Sequence, residues 1–206
     1  IPTFYVSQMT RKHVTVALNG DGGDEGFLGY ERYWANAVAD QLKRLPGSAG
    51  LVSMMRRLVK DSSETKSNAR RMRRFLNVAT MDEKDRYAYW IGYFGSHEKR
   101  SLYKPEFAAL VNPEGPLECF EKLLRSQPGL DAMERPNLAD IHTYLPYDLL
   151  VKVDIATMAT SLEARSPLLD HNVLEFAARL PRNYKLSGRK GKVILLSLIH
   201  ISEPTR

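Results

Sequence analysis

The stretch His13-Val14-Thr15-Val16-Ala17-Leu18 runs directly into Asn19-Gly20-Asp21-Gly22-Gly23-Asp24-Glu25. The first six residues form a β-branched, apolar run closed by Asn-Gly, which predicts a buried strand of the parallel type rather than an amphipathic one. The loop at 20–26 then falls at the strand's carboxyl end, where open α/β sheets bind their ligands. The glycines at 20, 22 and 23 let the backbone turn sharply and approach a ligand closely. Three carboxylates would repel bare phosphate. They suit Mg²⁺ held by one or two acids and completed by phosphate oxygens, or proton transfer, or a cationic group. An EF-hand reading fails, because Gly26 at the sixth position would put Gly23 at the third ligand position and Arg32 at the final glutamate. No Walker A or dinucleotide glycine pattern is present, and Gly188-Arg189-Lys190-Gly191-Lys192 has the wrong spacing for one. The plain alternative is a tight turn with solvated acids.

Outward from this loop, Tyr30 to Leu45 reads as a helix broken by Pro46-Gly47. From about 50 to 138 the pattern is helical and weakly amphipathic, punctuated by Pro105, Pro113, Pro116, Pro128 and Pro136, with no strong strand run. Helical character returns from Asp148 to Ala164, where Asp148 and Lys152 stand at i, i+4 in the favourable acid-first order. Pro167 restricts Ser166 and should end that helix. Asp170 or Asn172 can cap the next one, with Val173, Phe176, Ala177 and Leu180 on its apolar face. One strand, much helix and a loop at the strand's carboxyl end predict an α/β fold with a helical insertion.

A second concentration of chemistry lies in Asp148-Leu-Leu-Val-Lys152-Val-Asp154 and Ser161-Leu-Glu163-Ala-Arg165. At helical spacing Asp154 shares a stripe with Leu150 and Met158. A carboxylate on such a stripe is costly unless paired or ligated. Arg165 and Lys152 are its candidate partners, and a purely structural ion-pair network is the competing reading.

With 206 residues the chain suffices for one domain, or one domain with a sizeable insertion. At 43% hydrophobic and 26% charged residues it is neither collagen-like, disordered nor a disulfide scaffold. No run is long and apolar enough to span a bilayer, and the first residues do not resemble a secretory signal. Cys119 is the single cysteine, which excludes an internal disulfide, argues against a cysteine metal cage and fits a reducing cytoplasm. The net charge of +6 is concentrated between Arg56 and Arg74, where eight basic residues face two acidic ones. Such a segment attracts nucleic acid, anionic lipid or an acidic partner, or is simply a solvated helix face. No nucleic-acid-binding module is recognisable and no aromatics interleave with the cluster, so a nucleic-acid partner is not expected.

Taken together, Gly20-Asp-Gly-Gly-Asp-Glu25 followed by Gly29-Tyr30 and Arg32-Tyr33 resembles the loop of the asparagine synthetases that hydrolyse glutamine. The series Leu149 to Asp154, Met158-Ala159, Ser161 to Arg165 and Pro167 to His171 is similar to the same family, as is Gly191-Lys192 with Val-Ile-Leu195. The resemblance implies that residues 1–195 are part of the C-terminal synthetase domain. That domain has the PP-loop ATP pyrophosphatase fold, here with a helical insertion at about 34–138. It implies ATP and Mg²⁺ as cofactors, and aspartate as the acid adenylated to β-aspartyl-AMP. Ammonia from an N-terminal glutaminase domain would then displace AMP. Asn19, Gly20, Gly22 and Gly23 would line the ATP and pyrophosphate site, although Asn19 stands where the family commonly has Ser. Asp21 would occupy the acidic position tied to acyl-adenylate formation, which some relatives fill with Glu. Asp24 would hold Mg²⁺. Glu163 and Lys192 would act in catalysis, and Asp148, Asp154 and Arg165 would shape the far wall of the substrate pocket.

Three departures accompany the resemblance. The Ser-Gly-Gly-x-Asp-Ser pyrophosphate loop and the glutaminase domain with its cysteine nucleophile are not in this sequence. Leu196–Arg206 reads as the translation of a sequencing adapter where a lysine-bearing loop is expected, so His200 and Glu203 carry no functional weight. An internal fragment, inactive alone, is therefore expected, and a homodimer is compatible with it. The rival readings are a related adenylating amidotransferase acting on another acid, such as a β-lactam-forming synthetase, or a non-catalytic basic nucleic-acid-binding protein.

Overall fold

A computed structural model describes residues 1–59, 68–111 and 115–202. In chain order the elements are α1 (Pro2–Arg11), β1 (Val16–Leu18), α2 (Gly23–Gly26), α3 (Glu31–Lys43), α4 (Ser48–Leu58), α5 (Asn68–Val78), α6 (Glu83–Ile91) and α7 (Ser96–Leu102). There follow α8 (Pro105–Ala108), α9 (Gly115–Arg125), α10 (Glu134–His142), α11 (Val151–Met158), β2 (Glu163–Arg165), α12 (His171–Arg179), α13 (Arg182–Lys185) and α14 (Val193–Ser202). A π-helical stretch, Leu145–Leu150, leads into α11, and a 3₁₀ turn, Pro167–Leu169, follows β2. The chain divides into two compact units, Ile1–Glu31 with Asp140–Arg206, and Arg32–Ala139. The class is mixed α/β and mostly helical.

In the first unit β1 and β2 pair in parallel, with Val16 opposite Glu163, Ala17 opposite Ala164 and Leu18 opposite Arg165. Glu163 N donates to Thr15 O and Asn19 N to Arg165 O, both at 2.9 Å, so the ladder ends where the acidic loop begins. Helix α1, which has no counterpart in the sequence reading, packs against α11, and Arg11 Nε donates to Ser161 O at 2.8 Å. The expectation of a buried strand fails: Val14, Val16 and Leu18 are all exposed, Leu18 by 72%. The run is apolar enough to be covered, but among the described residues nothing covers that side of the two-stranded sheet.

The helix expected from Asp148 to Ala164 is also corrected. It stops at Met158, Ser161 takes a left-handed φ of 58°, and Glu163–Arg165 is strand. A strand of three residues exists because β1 pairs with it, and local periodicity holds no information about that pairing. On α12, Asp170 caps by accepting Asn172 N at 2.8 Å. Its buried position is Ala177, with Leu174 beside it against Gly26, whereas Phe176 is exposed, contrary to the expected face. Helix α14 continues through Ser202, into the segment set aside as adapter-like, because Val193 to Ser202 is an apolar run free of Gly and Pro. Glu203 to Arg206 lie outside the described residues.

Among the described residues of the second unit the regular elements are all helices. Pro105 and Pro136 fall in the first turns of α8 and α10, where a missing N–H costs nothing. Val52, Leu76 and Ala79 form one core cluster with Leu42, Met55, Val59 and Phe75 packed on it. Tyr87, Phe120, Leu124 and Ala139 form another, in which the Tyr87 and Phe120 rings stack at 4.4 Å. Arg86 is only 3% exposed and donates to Asn36 O at 2.9 Å and Met81 O at 3.1 Å, tying α6 to α3. Of the basic run, Arg56 and Arg57 sit in the last turn of α4 and Arg70 to Arg74 on α5, while Lys60, Asp61, Glu64 and Lys66 lie outside the described residues. Among the described residues no helix is long and apolar enough to cross a membrane.

Candidate active-site loop

The acidic loop is shaped first by its own backbone. Asn19 Nδ2 donates to Asp21 Oδ2 at 2.9 Å, and Asp21 N donates back to Asn19 Oδ1 at 3.3 Å, an Asx-type turn that the Asn-Gly-Asp sequence favours. Gly22 has φ 86° and stands at the N-terminus of α2. A side chain there would overlap Leu169, and Gly23 sits against Leu168, so these glycines admit the 3₁₀ turn that follows β2. Here the glycines serve packing as well as any ligand.

Of the loop's three carboxylates, one is withdrawn from solvent. Glu25 is 1% exposed and accepts the Tyr30 hydroxyl at 2.9 Å. Burial raises its pKa above the ordinary carboxyl value, and the charges of Asp24 and Asp140 push it the same way. Tyr30 also meets Tyr144 edge to face at 6.3 Å. The alternative of a turn with solvated acids thus fails for Glu25, while Asp21 and Asp24 are partly exposed. In sequence Glu25 differs from Asp24 only by position, and its inward side follows from the turn of α2.

Asp24 is paired with Lys192. Lys192 Nζ lies 2.9 Å from Asp24 Oδ1, each side chain about a third exposed. The lysine is delivered by a close backbone contact: Lys192 N donates to Phe27 O at 2.9 Å, and Gly191 lies so near Leu28 O and Gly29 that no side chain fits there. Gly29 is equally confined, by Asp24 and Lys192. Leu28 and Lys192 both hold left-handed φ angles, 53° and 56°. Non-glycine residues do so at a cost of about 1–2 kcal/mol, which the surrounding packing must offset. Neither Gly29 nor Gly191 draws notice by spacing alone.

The remaining expected residues divide. Glu163 and Arg165 alternate to the same side of β2, and Arg165 Nε donates to Glu163 Oε1 at 2.7 Å with both side chains well exposed. The expected pairing of Arg165 or Lys152 with Asp154 is therefore not formed. Asp154 needs no partner, because it is itself exposed, as is Met158 on the stripe they share, at 65%. Asp148 is exposed on the π-helical stretch and makes no ion pair with Lys152. Among the described residues there is no group of three or more His, Cys, Asp or Glu side chains that could cage a metal. Mg²⁺ needs only one or two carboxylates with phosphate and water completing its shell. Asp24 is a partly exposed hard oxygen donor of that kind, although Lys192 already pairs with one of its oxygens.

A parallel strand pair ending in a glycine-rich acidic loop, met there by a distant lysine, defines a mixed α/β domain with a candidate nucleotide site at the strand ends. The chain belongs to the asparagine synthase family: the family profile described as Asparagine synthase matches residues 1–200. It is 31% identical over 196 residues to "Asparagine synthetase [glutamine-hydrolyzing] 1" of Bacillus subtilis, covering 95% of this chain and 29% of that protein. It is 29% identical over 198 residues to a "Putative asparagine synthetase [glutamine-hydrolyzing]" of Mycobacterium bovis, covering 95% of this chain and 28% of that protein. A shorter stretch of 45 residues is 51% identical to "Putative asparagine synthetase [glutamine-hydrolyzing] 2" of Methanocaldococcus jannaschii, covering 22% of this chain and 9% of that protein. The chain thus spans less than a third of the length of these relatives. No solved structure matches it. The resemblance carried by the loop and the downstream motifs is borne out.

Proposed function

We propose that this chain forms part of an ATP-dependent, asparagine-forming ligase and carries one wall of its adenylation site. The observation that carries the reading is the Asp24–Lys192 pair at the mouth of the strand ends, within a chain of this family. In the proposed reaction a side-chain oxygen of aspartate attacks the α-phosphorus of ATP. The bond from that phosphorus to its bridging oxygen breaks, and pyrophosphate leaves with the electron pair. Ammonia then adds to the β-aspartyl-AMP carbonyl and AMP departs. Asn19, Gly20, Gly22 and Gly23 line the nucleotide side, and Asp21, oriented by Asn19, borders the reacting phosphate. Lys192 neutralises charge on the departing pyrophosphate, an interaction stronger in the transition state than before it. Asp24 would hold Mg²⁺, which when bound supplies further charge neutralisation on the phosphates. Glu163 acts from β2 at the acid substrate, with Arg165 setting its orientation. Asp148 and Asp154 line the outer wall.

The proposed fold is a PP-loop ATP pyrophosphatase domain interrupted by the helices at about 34–138, with glutamine-derived ammonia supplied by a glutaminase domain. The test is a chimaera in which residues 1–195 replace the matching region of the Bacillus subtilis relative. Aspartate-dependent ATP–pyrophosphate exchange is expected in the chimaera, its loss in Asp24→Ala, and none in the chain alone. Exchange driven by another acid, and not by aspartate, would move the reading to a related amidotransferase.

A further inference from the structure

We infer that Glu25 and Tyr30 are positioning residues, a clasp that holds the turn at 27–29 as the seat from which Lys192 reaches Asp24. Residues 29 and 30 are fastened to residues 24 and 25 by two neighbouring hydrogen bonds. Gly29 N donates to Asp24 O at 2.8 Å, and the Tyr30 hydroxyl donates to Glu25 Oε1 at 2.9 Å. The first bond is backbone to backbone, whereas the second exists only because these two side chains were chosen. Between them the chain turns through Phe27 and Leu28, both 3% exposed, with Leu28 at a left-handed φ of 53°. The distant segment lands on that turn: Lys192 N donates to Phe27 O at 2.9 Å, and Gly191 abuts Leu28 O and Gly29. All of these residues belong to the first unit.

A carboxyl group only 1% exposed is costly to bury and needs hydrogen bonds to offset the loss of water. An apolar side chain in its place would avoid that cost and would leave the Tyr30 hydroxyl without this acceptor. The bland explanation is that burial of Phe27 and Leu28 holds the turn by itself. Apolar burial is non-directional, so it sets the depth of the turn and not the direction in which Phe27 O points. Directed bonds at both ends of the turn fix that direction, and they help to offset the strain of a left-handed leucine. Tyr30 is steadied in turn by its ring, which meets Tyr144 edge to face at 6.3 Å. Glu25 and Tyr30 have other neighbours as well, so the test removes the hydroxyl alone. The use of the clasp in catalysis rests on the ligase reading, whereas its hold on Lys192 does not.

The test is amide hydrogen exchange in the full chain, read residue by residue by NMR. Tyr30→Phe keeps the ring and should speed exchange at the Gly29 and Lys192 amides about fivefold to tenfold. The amides of Asn19 and Glu163, bonded across the β1–β2 ladder, should exchange as in the parent. Glu25→Leu should match Tyr30→Phe, and Glu25→Gln, which keeps an acceptor oxygen, should retain the parent's protection. The two Glu25 variants decide the matter should the tyrosine variant not fold. The clasp is overturned by unchanged exchange at Lys192, by equal speeding at all four amides, or by a glutamine variant as loose as the leucine one. In the chimaera, Tyr30→Phe should lower kcat for ATP–pyrophosphate exchange about tenfold and leave KM for ATP within about twofold, because Lys192 acts as pyrophosphate leaves. A raised KM with kcat preserved would overturn the positioning role. A parent chimaera without exchange for any acid would sink the ligase reading instead, and the amide measurement would still decide the clasp.

Discussion

Lys192 and Asp24, from opposite ends of the chain, meet at 2.9 Å at the carboxyl end of β1. The pair is a third exposed and held by backbone contacts on both sides, so its worth to folding is small, about 0–1 kcal/mol. In the proposed adenylation its worth would be larger, through charge neutralisation as pyrophosphate leaves. Asp24→Ala and Lys192→Gln should leave the melting temperature nearly unchanged while lowering exchange in the chimaera by about a hundredfold or more. A large loss of stability with exchange preserved would make the pair structural instead.

The contact that delivers the lysine is steric. A methyl group at Gly191 would overlap Leu28 O, and one at Gly29 would overlap the Asp24 carboxylate and the Lys192 stem. Gly191→Ala should therefore destabilise the first unit by about 1–3 kcal/mol, as overpacking does. Chemical denaturation measures this. A Gly191→Ala variant as stable as the parent would show that the loop simply gives way.

Arg86 presents a different balance. It is buried and donates to the buried carbonyl of Asn36, where water is no easy substitute, and to the part-buried carbonyl of Met81. Arg86→Met keeps most of the volume and removes both donors, so the helical unit should lose about 2–4 kcal/mol in urea denaturation. Arg44→Met, on an exposed i, i+4 pair with Asp40, should lose far less.

Glu83 sets a pH dependence. Burial raises its carboxyl pKa above the ordinary 4.5, and the nearby Arg135 and Arg86 charges only partly oppose that. The folded state therefore binds this proton more tightly than the unfolded one. The stability it contributes is full below about pH 4.5 and is lost as pH rises through the raised folded value. The stability of the parent relative to Glu83→Gln should fall across that window, measured by urea denaturation at each pH. The comparison must be made between variants, because Asp82, whose pKa Lys43 lowers, works in the opposite sense. A flat difference would contradict the assignment.

Much of the fold was legible where the cause is local. The Asn-Gly turn after a β-branched run marks the strand and its loop. Asp170 two residues before Asn172 marks a helix cap, and Pro46-Gly47 marks the break between α3 and α4. The failures share one cause. Glu163-Ala-Arg165 has no strand signature of its own and becomes β2 only because β1 lies beside it. Phe176 and Ala177 both fit an apolar stripe, and only the position of Gly26 and α2 decides that Ala177 goes inside. Arg165 has acids within reach in sequence at Glu163 and farther off at Asp154. The extended backbone of β2, which turns alternate residues to one side, selects Glu163.

The candidate site follows the same division. Sequence by itself determined the loop, its left-handed Gly22, its Asx turn and its stock of acids, because these depend on steric and hydrogen-bonding preferences within a few residues. Tertiary structure alone decided that Glu25 is buried, that Asp24 meets Lys192, and that Val16 and Leu18 stand exposed. Desolvation and ion pairing depend on which distant segment arrives at a surface, and that is settled by packing over the whole unit rather than by any neighbouring residue.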